Sequence, residues 1–329
     1  MAQSTLQTLL DEHWGLAGPL EPLYAERDLN HRLTTERGQC WLVKLSHPDT
    51  GRRRLDFENR VLDALSNGTE GLRVPRIRTT HEGVLSLPLP DGTQLRVLAW
   101  LEGIALSDVD VTPAMGEALG RACARLNRAL EPLSTTGALP ANLPWDLLGL
   151  PALKPLAARL PDAGAMAMAR SVVEHHEAET ARALQALPRQ PIHNDLNPDN
   201  VLVAPAKPNA LPAIIDFGDM VRAPVLCDLA IACAYHVTDD GEPLRNVRTI
   251  VRGFHAERPL SEEEQTLLPA LIAGRLCQTL LIQGARFAAG NKALANTYQQ
   301  ALRRLTALRE VDPQTQVGVI RAVCRPGVS

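Results

Sequence analysis

"PIHNDLNPDN", residues 191–200, packs six polar side chains into one short stretch: His193, Asn194, Asp195, Asn197, Asp199 and Asn200. Pro191 and Ile192 lead into it, and the apolar run Val201-Leu202-Val203 follows at once. A turn needs one or two such residues, so this cluster has a further purpose. Downstream, "AIIDFGDM" is an apolar strand that delivers Asp216 into a turn at Gly218. Two polar clusters, each at one end of a short β-run, can meet on adjacent strands of a hairpin. That would gather Asp195, Asn200 and Asp216. Two carboxylates and an amide oxygen are hard donors, suited to magnesium rather than to a soft metal.

Working outward, the first hundred residues read as β-rich. "QCWLVKLS" alternates, with Trp41, Val43 and Leu45 on one face and Cys40, Leu42 and Lys44 on the other. "PLYAERDLNHRL" before it reads as strand, polar turn, strand. "RRRLDFENRVLDALSNG" predicts a helix with Leu55, Val61, Leu62 and Leu65 on one side, stopped by Gly68. Glu58 lies on that helix, and a lysine held by a glutamate can present a fixed positive charge to a phosphate. A hairpin is expected around Pro90-Asp91-Gly92. After residue 104 the pattern turns helical. Thr112 caps a helix with Pro113 at its first position and Leu119, Cys123, Leu126 and Leu130 in line. The Pro- and Ala-rich stretch from 131 to 165 is less regular, and "MARSVVEHHEAETARALQAL" is helical again. Ser261 and Glu264 form a capping box, and Pro269 should kink or break the helix that they open.

Composition narrows the function. The chain has 329 residues, enough for two lobes, with 45% hydrophobic and 22% charged residues. A net charge of −3 and 3% aromatics give neither a footprint for nucleic acid nor a base-stacking platform. No run approaches eighteen consecutive apolar residues, so no membrane partner is expected. The N-terminus lacks the basic start of a signal peptide. The six scattered cysteines form no C-x-x-C pair and read as thiols in a reducing, cytoplasmic setting. Oligomeric state is not legible.

"HNDLNPDN" followed by "IDFGD" resembles the catalytic and metal-binding segments of the protein-kinase fold. There is no A-P-E segment. The whole chain is similar to the aminoglycoside phosphotransferase and choline kinase group of small-molecule kinases. "ERDLNHRL", "WLVKLS", "WDLL", "GFHAERPLSEEE" and "RLCQTLL" resemble its hydroxylysine kinase branch. The resemblance implies a two-lobed α+β fold: an N-terminal antiparallel β-sheet lobe with one helix over 1–97, a hinge at 98–101, and a larger, mostly helical lobe over 102–329, with the nucleotide between lobes. It implies Asp195 as the catalytic aspartate, Asn200 and Asp216 as ligands of Mg2+, and Lys44 on the phosphates of ATP or GTP, oriented by Glu58. Trp100 and Leu101 would bind the base, with Asn30 near phosphate. His193 and Asp228 would be structural supports. The acceptor would be a small amino-bearing alcohol, hydroxylysine-like first, with aminoglycoside, homoserine and choline as alternatives. A catalytically silent kinase-fold binding module is the alternative of another class.

Two departures stand out. Asn194 replaces the glycine common between the histidine and the aspartate, and the phosphate-covering turn "AERDLN" has no glycine. Other residues keep two readings. Asp146 is a helix N-cap or an acceptor-site carboxylate. Arg275 is a buried ion-pair member or a clamp for an amino-acid carboxylate, the latter favoured by the resemblance. Asp239 and Asp240 read as a loop that could attract a cation. "EHHE" at 174–177 reads as a solvated helix face rather than a metal site, because adjacent histidines point to different faces.

Overall fold

The computed structural model describes residues 3–24, 28–68, 71–133, 139 and 143–325. The chain divides into two compact units, one running to Glu102 and the other from Gly103 onward.

In the first unit, helix α1 (Gln3–Trp14) precedes strands β1 (Leu20–Leu23), β2 (Leu29–Thr34) and β3 (Cys40–Ser46). Helix α2 (Arg52–Gly68) follows, then β4 (Ile77–Arg78), β5 (Leu87–Pro88) and β6 (Gln94–Ala99). The six strands form one antiparallel sheet in the order β1-β2-β3-β6-β4, with β5 also on β6. The expected β1–β2 pairing is present; residues 25–27, the first half of "AERDLN", lie outside the described residues. β6 continues through Leu98 and Ala99, the start of the segment read as a hinge. Alternation along β3 sends Val43 and Leu45 into a core with Leu33, Leu95 and Val97, closed by Leu6, Leu10 and Trp14 of α1, with Trp41 packed against it. The opposite face carries Lys44, beside Asn30 of β2 and Arg96 of β6 in register. The hairpin at residues 90–92 is closed by Leu89 N–H to Thr93 O (2.8 Å) and Gly92 N–H to Leu89 O (3.0 Å).

The second unit opens with β7 (Ile104–Ala105), α3 (Pro113–Leu130), a 3₁₀ stretch at Leu147–Arg159, α4 (Ala163–His175) and α5 (Ala181–Ala186). Then come β8 (Gln190–Ile192), β9 (Val201–Val203), β10 (Ala213–Ile214) and β11 (Val221–Ala223). Helices α6 (Val225–Ala234), α7 (Arg245–Glu257), α8 (Glu262–Ala288), α9 (Ala295–Glu310) and α10 (Pro313–Val323) complete it. Thr112 caps α3 through the Met115 N–H, and Ser261 with Glu264 forms the capping box of α8. The expectation that Pro269 breaks α8 is corrected, because the helix runs through it. One missing N–H is offset there by burial of Leu268, Pro269, Leu271 and Ile272. α8 is long and apolar enough to cross a membrane, but 83% of that window is buried inside the protein. α3 and α7 pack without room for side chains: a Cβ on Gly120 would collide with Ile250 O, and one on Gly253 with Glu117 O. All six cysteines are free.

Candidate active site

The site is built around the two short pairings β8–β11 and β9–β10. Ile192 pairs with Val221, so the chain leaves β8 directly into His193. Ile214 pairs with Val201, which brings Asn200 and Asp216 to the same end of a hairpin, and the Ile215 N–H donates to Asn200 O at 3.0 Å. Between them, Asn197 caps the 3₁₀ turn Pro198–Asn200, accepting at Oδ1 from the N–H groups of Asp199 (2.8 Å) and Asn200 (3.2 Å).

Both oxygens of Asp195 are held. Arg275 Nη2 donates to Oδ1 at 3.1 Å. Asn197 Nδ2 (2.9 Å) and Asn200 Nδ2 (2.8 Å) donate to Oδ2. The carboxylate is 20% exposed. Burial, above all, raises its pKa from the ordinary aspartate value; the Asp219 charge adds to this, while Arg275, Asn197 and His193 oppose it. A base of raised pKa that stays oriented suits removal of a hydroxyl proton.

His193 accepts the Asp195 N–H at Nδ1 (3.2 Å), so the ring proton sits on Nε2, which donates to Ile215 O at 3.0 Å. Its ring meets the edge of Phe217 at 4.8 Å. Asp228, on the fully buried helix α6, accepts the His193 N–H at Oδ2 (3.0 Å), the Asn194 N–H at Oδ1 (2.7 Å) and Asn127 Nδ2 at Oδ2 (3.0 Å). Asn194 explains its own departure from glycine. Its φ of 68° is left-handed, a conformation that asparagine tolerates better than other side chains. Its amide also donates to Asp219 O at 3.1 Å. Asp216 is left-handed too, at φ 59°.

The residues fit a divalent cation. Asn200 gives its amide N–H groups to Asp195 O and Oδ2. This turns its Oδ1 away from them as a free acceptor at the hairpin end that also carries Asp216. The donor set is oxygen only, as magnesium requires.

In the first unit, Lys44 is buried and pairs with Asp28 at 3.2 Å. Its expected partner, Glu58, is ion-paired to Arg96 at 3.0 Å, a correction to the sequence reading. Arg96 is wholly buried on the α2-facing side of the sheet, where it also donates to Asn59 (3.0 Å) and Ser46 (3.1 Å), so the helix carboxylate neutralises it there. Asn30 Oδ1 is buried without a partner. Trp100 and Leu101 follow β6, with Arg32 stacked 4.9 Å from the Trp100 ring.

Arg275 is corrected from a substrate clamp to a buried ion-pair member. It is 1% exposed. Nη1 donates to Trp145 O (3.0 Å) and Gln278 Oε1 (3.2 Å), and Nη2 serves the Tyr235 hydroxyl (3.3 Å) besides Asp195. The Trp145 ring lies 4.8 Å from the guanidinium. Gln278 ties the same loop down through Pro144 O and Asp146 O. Asp146 is buried and caps the 3₁₀ stretch through the Leu148 N–H at 3.0 Å. Asp239 and Asp240 are engaged by Arg303 and Arg245. In "EHHE", His175 is exposed but His176 is buried with neither ring nitrogen bonded, correcting the reading of a wholly solvated face. No cluster of three metal-binding side chains occurs among the described residues. Sequence reading missed Asn127, Tyr235 and Gln278, which carry no local signal; Asn197 was placed in the polar cluster but given no separate role.

The model of the phosphotransferase enzyme family matches residues 25–263. The chain belongs to that family. A hydroxylysine kinase from Danio rerio is 26% identical to this phosphotransferase over 94% of the chain and 92% of its own length. A homoserine kinase from Beijerinckia indica is 30% identical over 74% of the chain and 73% of its own length. Among solved structures, the microcompartment-associated aminopropanol kinase superposes with a TM-score of 0.74 at 17% identity, covering 94% of this chain and 97% of its own. The phosphotransferase has the two-lobed, kinase-like α+β fold expected from sequence and is a small-molecule kinase acting on hydroxyl groups, which sets aside the catalytically silent module.

Proposed function

We propose that this kinase transfers the γ-phosphoryl group of ATP or GTP to the side-chain hydroxyl of a free hydroxy-amino acid, hydroxylysine-like first and homoserine second. The reading rests on Asp195, a carboxylate held on both oxygens by Arg275, Asn197 and Asn200. The acceptor class is supported by the two relatives, whose names both specify hydroxy-amino acids.

Asp195 takes the acceptor's hydroxyl proton as the acceptor oxygen bonds to the γ-phosphorus. The bond from that phosphorus to the β-phosphate oxygen breaks, and the nucleoside diphosphate leaves. Asn200 Oδ1 and Asp216 would hold Mg2+, which when bound neutralises charge on the phosphates. Lys44 is assigned to the nucleotide phosphates, with Trp100 and Leu101 at the base. Asp228 fixes the path of the loop by accepting two successive backbone N–H groups. The protein's work is chiefly positioning.

An acceptor screen read by nucleoside diphosphate release tests this, run with ATP and with GTP. The highest kcat/KM is expected for a hydroxy-amino acid; turnover confined to aminoglycosides or choline would end the reading. Asp195→Asn should lower kcat by about 10²–10⁴ while leaving nucleotide binding intact.

A further inference from the structure

Three arginines converge on residues 235–239 of the second unit, and they are not equivalent. Arg275 gives its terminal N–H groups to Asp195, Tyr235, Gln278 and Trp145 O. Arg303 Nε is neutralised by Asp239 Oδ2 at 2.9 Å. Arg304, the next residue on α9, makes no hydrogen bond or ion pair among the described residues, although it is only partly exposed. We propose that Arg304 binds the acceptor's carboxylate and thereby selects hydroxy-amino acids over amino alcohols, an assignment that rests on the hydroxy-amino-acid reading above.

Its placement supports this. Arg275 Nη2 is the common donor to Asp195 Oδ1 and to the Tyr235 hydroxyl, so Tyr235 stands two hydrogen bonds from the catalytic carboxylate, on the far side of Arg275. Arg304 is held beside the segment that begins at Tyr235, because its neighbour Arg303 is ion-paired to Asp239 of that segment. Burial, above all, holds its pKa below that of a free guanidinium; Tyr235 and Asp239 oppose this and Arg303 adds to it. Among the described residues no anion is ion-paired to it: Asp239 is taken by Arg303 and Asp240 by Arg245, and Asp239 acts on it only at longer range. A half-buried cation without a partner carries a desolvation cost. A ligand carboxylate offsets that cost, and the planar fork accepts one in bidentate fashion.

The test compares Arg304→Gln and Arg304→Lys with the wild type on a hydroxy-amino acid and on the amino alcohol lacking its carboxylate. Arg304→Gln should raise KM for the amino acid about 10–100-fold, the range of a lost charge-assisted pair. Its kcat, nucleotide KM and amino-alcohol kcat/KM should stay within about twofold, and Lys should recover part of the loss. Lysine, which lacks the reacting hydroxyl, should bind the wild type and not Arg304→Gln in calorimetry. Melting temperature should hold or rise, because the deleted charge had no protein partner. Equal losses on both acceptors, no change on either, or a fall in melting temperature that accounts for the activity would overturn the assignment. A wild type that phosphorylates amino alcohols and no hydroxy-amino acid would remove the acceptor reading and the clamp together. Turnover of the amino acid by an indifferent Arg304→Gln would remove the clamp alone.

Discussion

Asp195 and Arg275 show how a side chain's role follows from its partners rather than its type. The arginine's fork reaches in two directions, to Asp195 and Tyr235 on one side and to Trp145 O and Gln278 on the other. Lysine offers one nitrogen and cannot serve all four. Arg275→Lys should therefore lower kcat about tenfold with nucleotide and acceptor KM nearly unchanged, and Arg275→Gln should lower it further, about 100-fold, as expected for a lost hydrogen-bonded charge. Steady-state kinetics on any accepted substrate checks this; a rise in KM with kcat intact would restore the clamp. Asp146 gives a second prediction. Burial, above all, raises its pKa, opposed by the Leu148 N–H and Arg189. The folded chain thus holds that proton more tightly than the unfolded chain. The ionised group costs stability above its folded pKa, and the cost is relieved as pH falls, vanishing below the ordinary carboxylate range near ~4. Asparagine caps as well as aspartate. Asp146→Asn should melt no lower than wild type at pH 7, with any gain gone by about pH 4, and acceptor KM should not move. A tenfold rise in acceptor KM would instead make Asp146 the anion that meets the substrate amine.

At the scale of elements, α3 matters because it carries Asn127, which holds Asp228, which in turn holds the backbone of His193 and Asn194. α3 is set by its contact with α7, where Gly253 faces the Glu117 carbonyl with no space for a methyl. Gly253→Ala should cost about 1–3 kcal/mol by overpacking, and a denaturation midpoint equal to wild type would show that the helices can separate freely. Neither glycine pairing was visible in sequence, because close approach is a property of two helices and the pattern belongs to one. What could be read was local. The alternation of β3, the Thr112 cap and the 261–264 capping box involve residues within one turn or one pleat of each other. The same holds for the site: Asp195, Asn197 and Asn200 meet within six residues of chain, and the hairpin adds Asp216. Contacts set by packing were not legible. Arg275 reaches Asp195 from the middle of α8, and Arg96 takes Glu58 across the first unit. Pro151 and Pro155 sit inside the 3₁₀ stretch at 147–159, which has no α-helical period to detect.

For the whole molecule, acid should be destabilising through two histidines that folding keeps neutral. His176 and His236 are 2% and 6% exposed. Burial is the main cause that takes both to about 4 from an ordinary 6.5; the His175 charge adds to it at His176 and the Arg304 charge at His236. Between those values the unfolded chain binds protons that the folded chain refuses. Each histidine's contribution is therefore complete above about pH 6.5 and lost as pH falls toward 4, up to about 3 kcal/mol apiece. That is a large part of a typical stability of about 5–15 kcal/mol. Asp146, Asp195 and Asp228 act in the opposite sense, because their raised pKa values favour the folded state on acidification. A wild-type pH profile alone cannot separate the two groups, but a variant can. His176 has neither ring nitrogen bonded and lies against the same surface of α8 as Leu147 and Leu150, beside Gly274. His176→Leu removes one titration and leaves no buried donor unsatisfied. Urea unfolding of wild type and His176→Leu, measured from pH 7.5 to 4.5, should give curves that diverge as pH falls, with the variant the more stable at the acid end by about 2–3 kcal/mol. Parallel curves would mean that His176 titrates alike in both states, and that its burial is relieved by water reaching the ring.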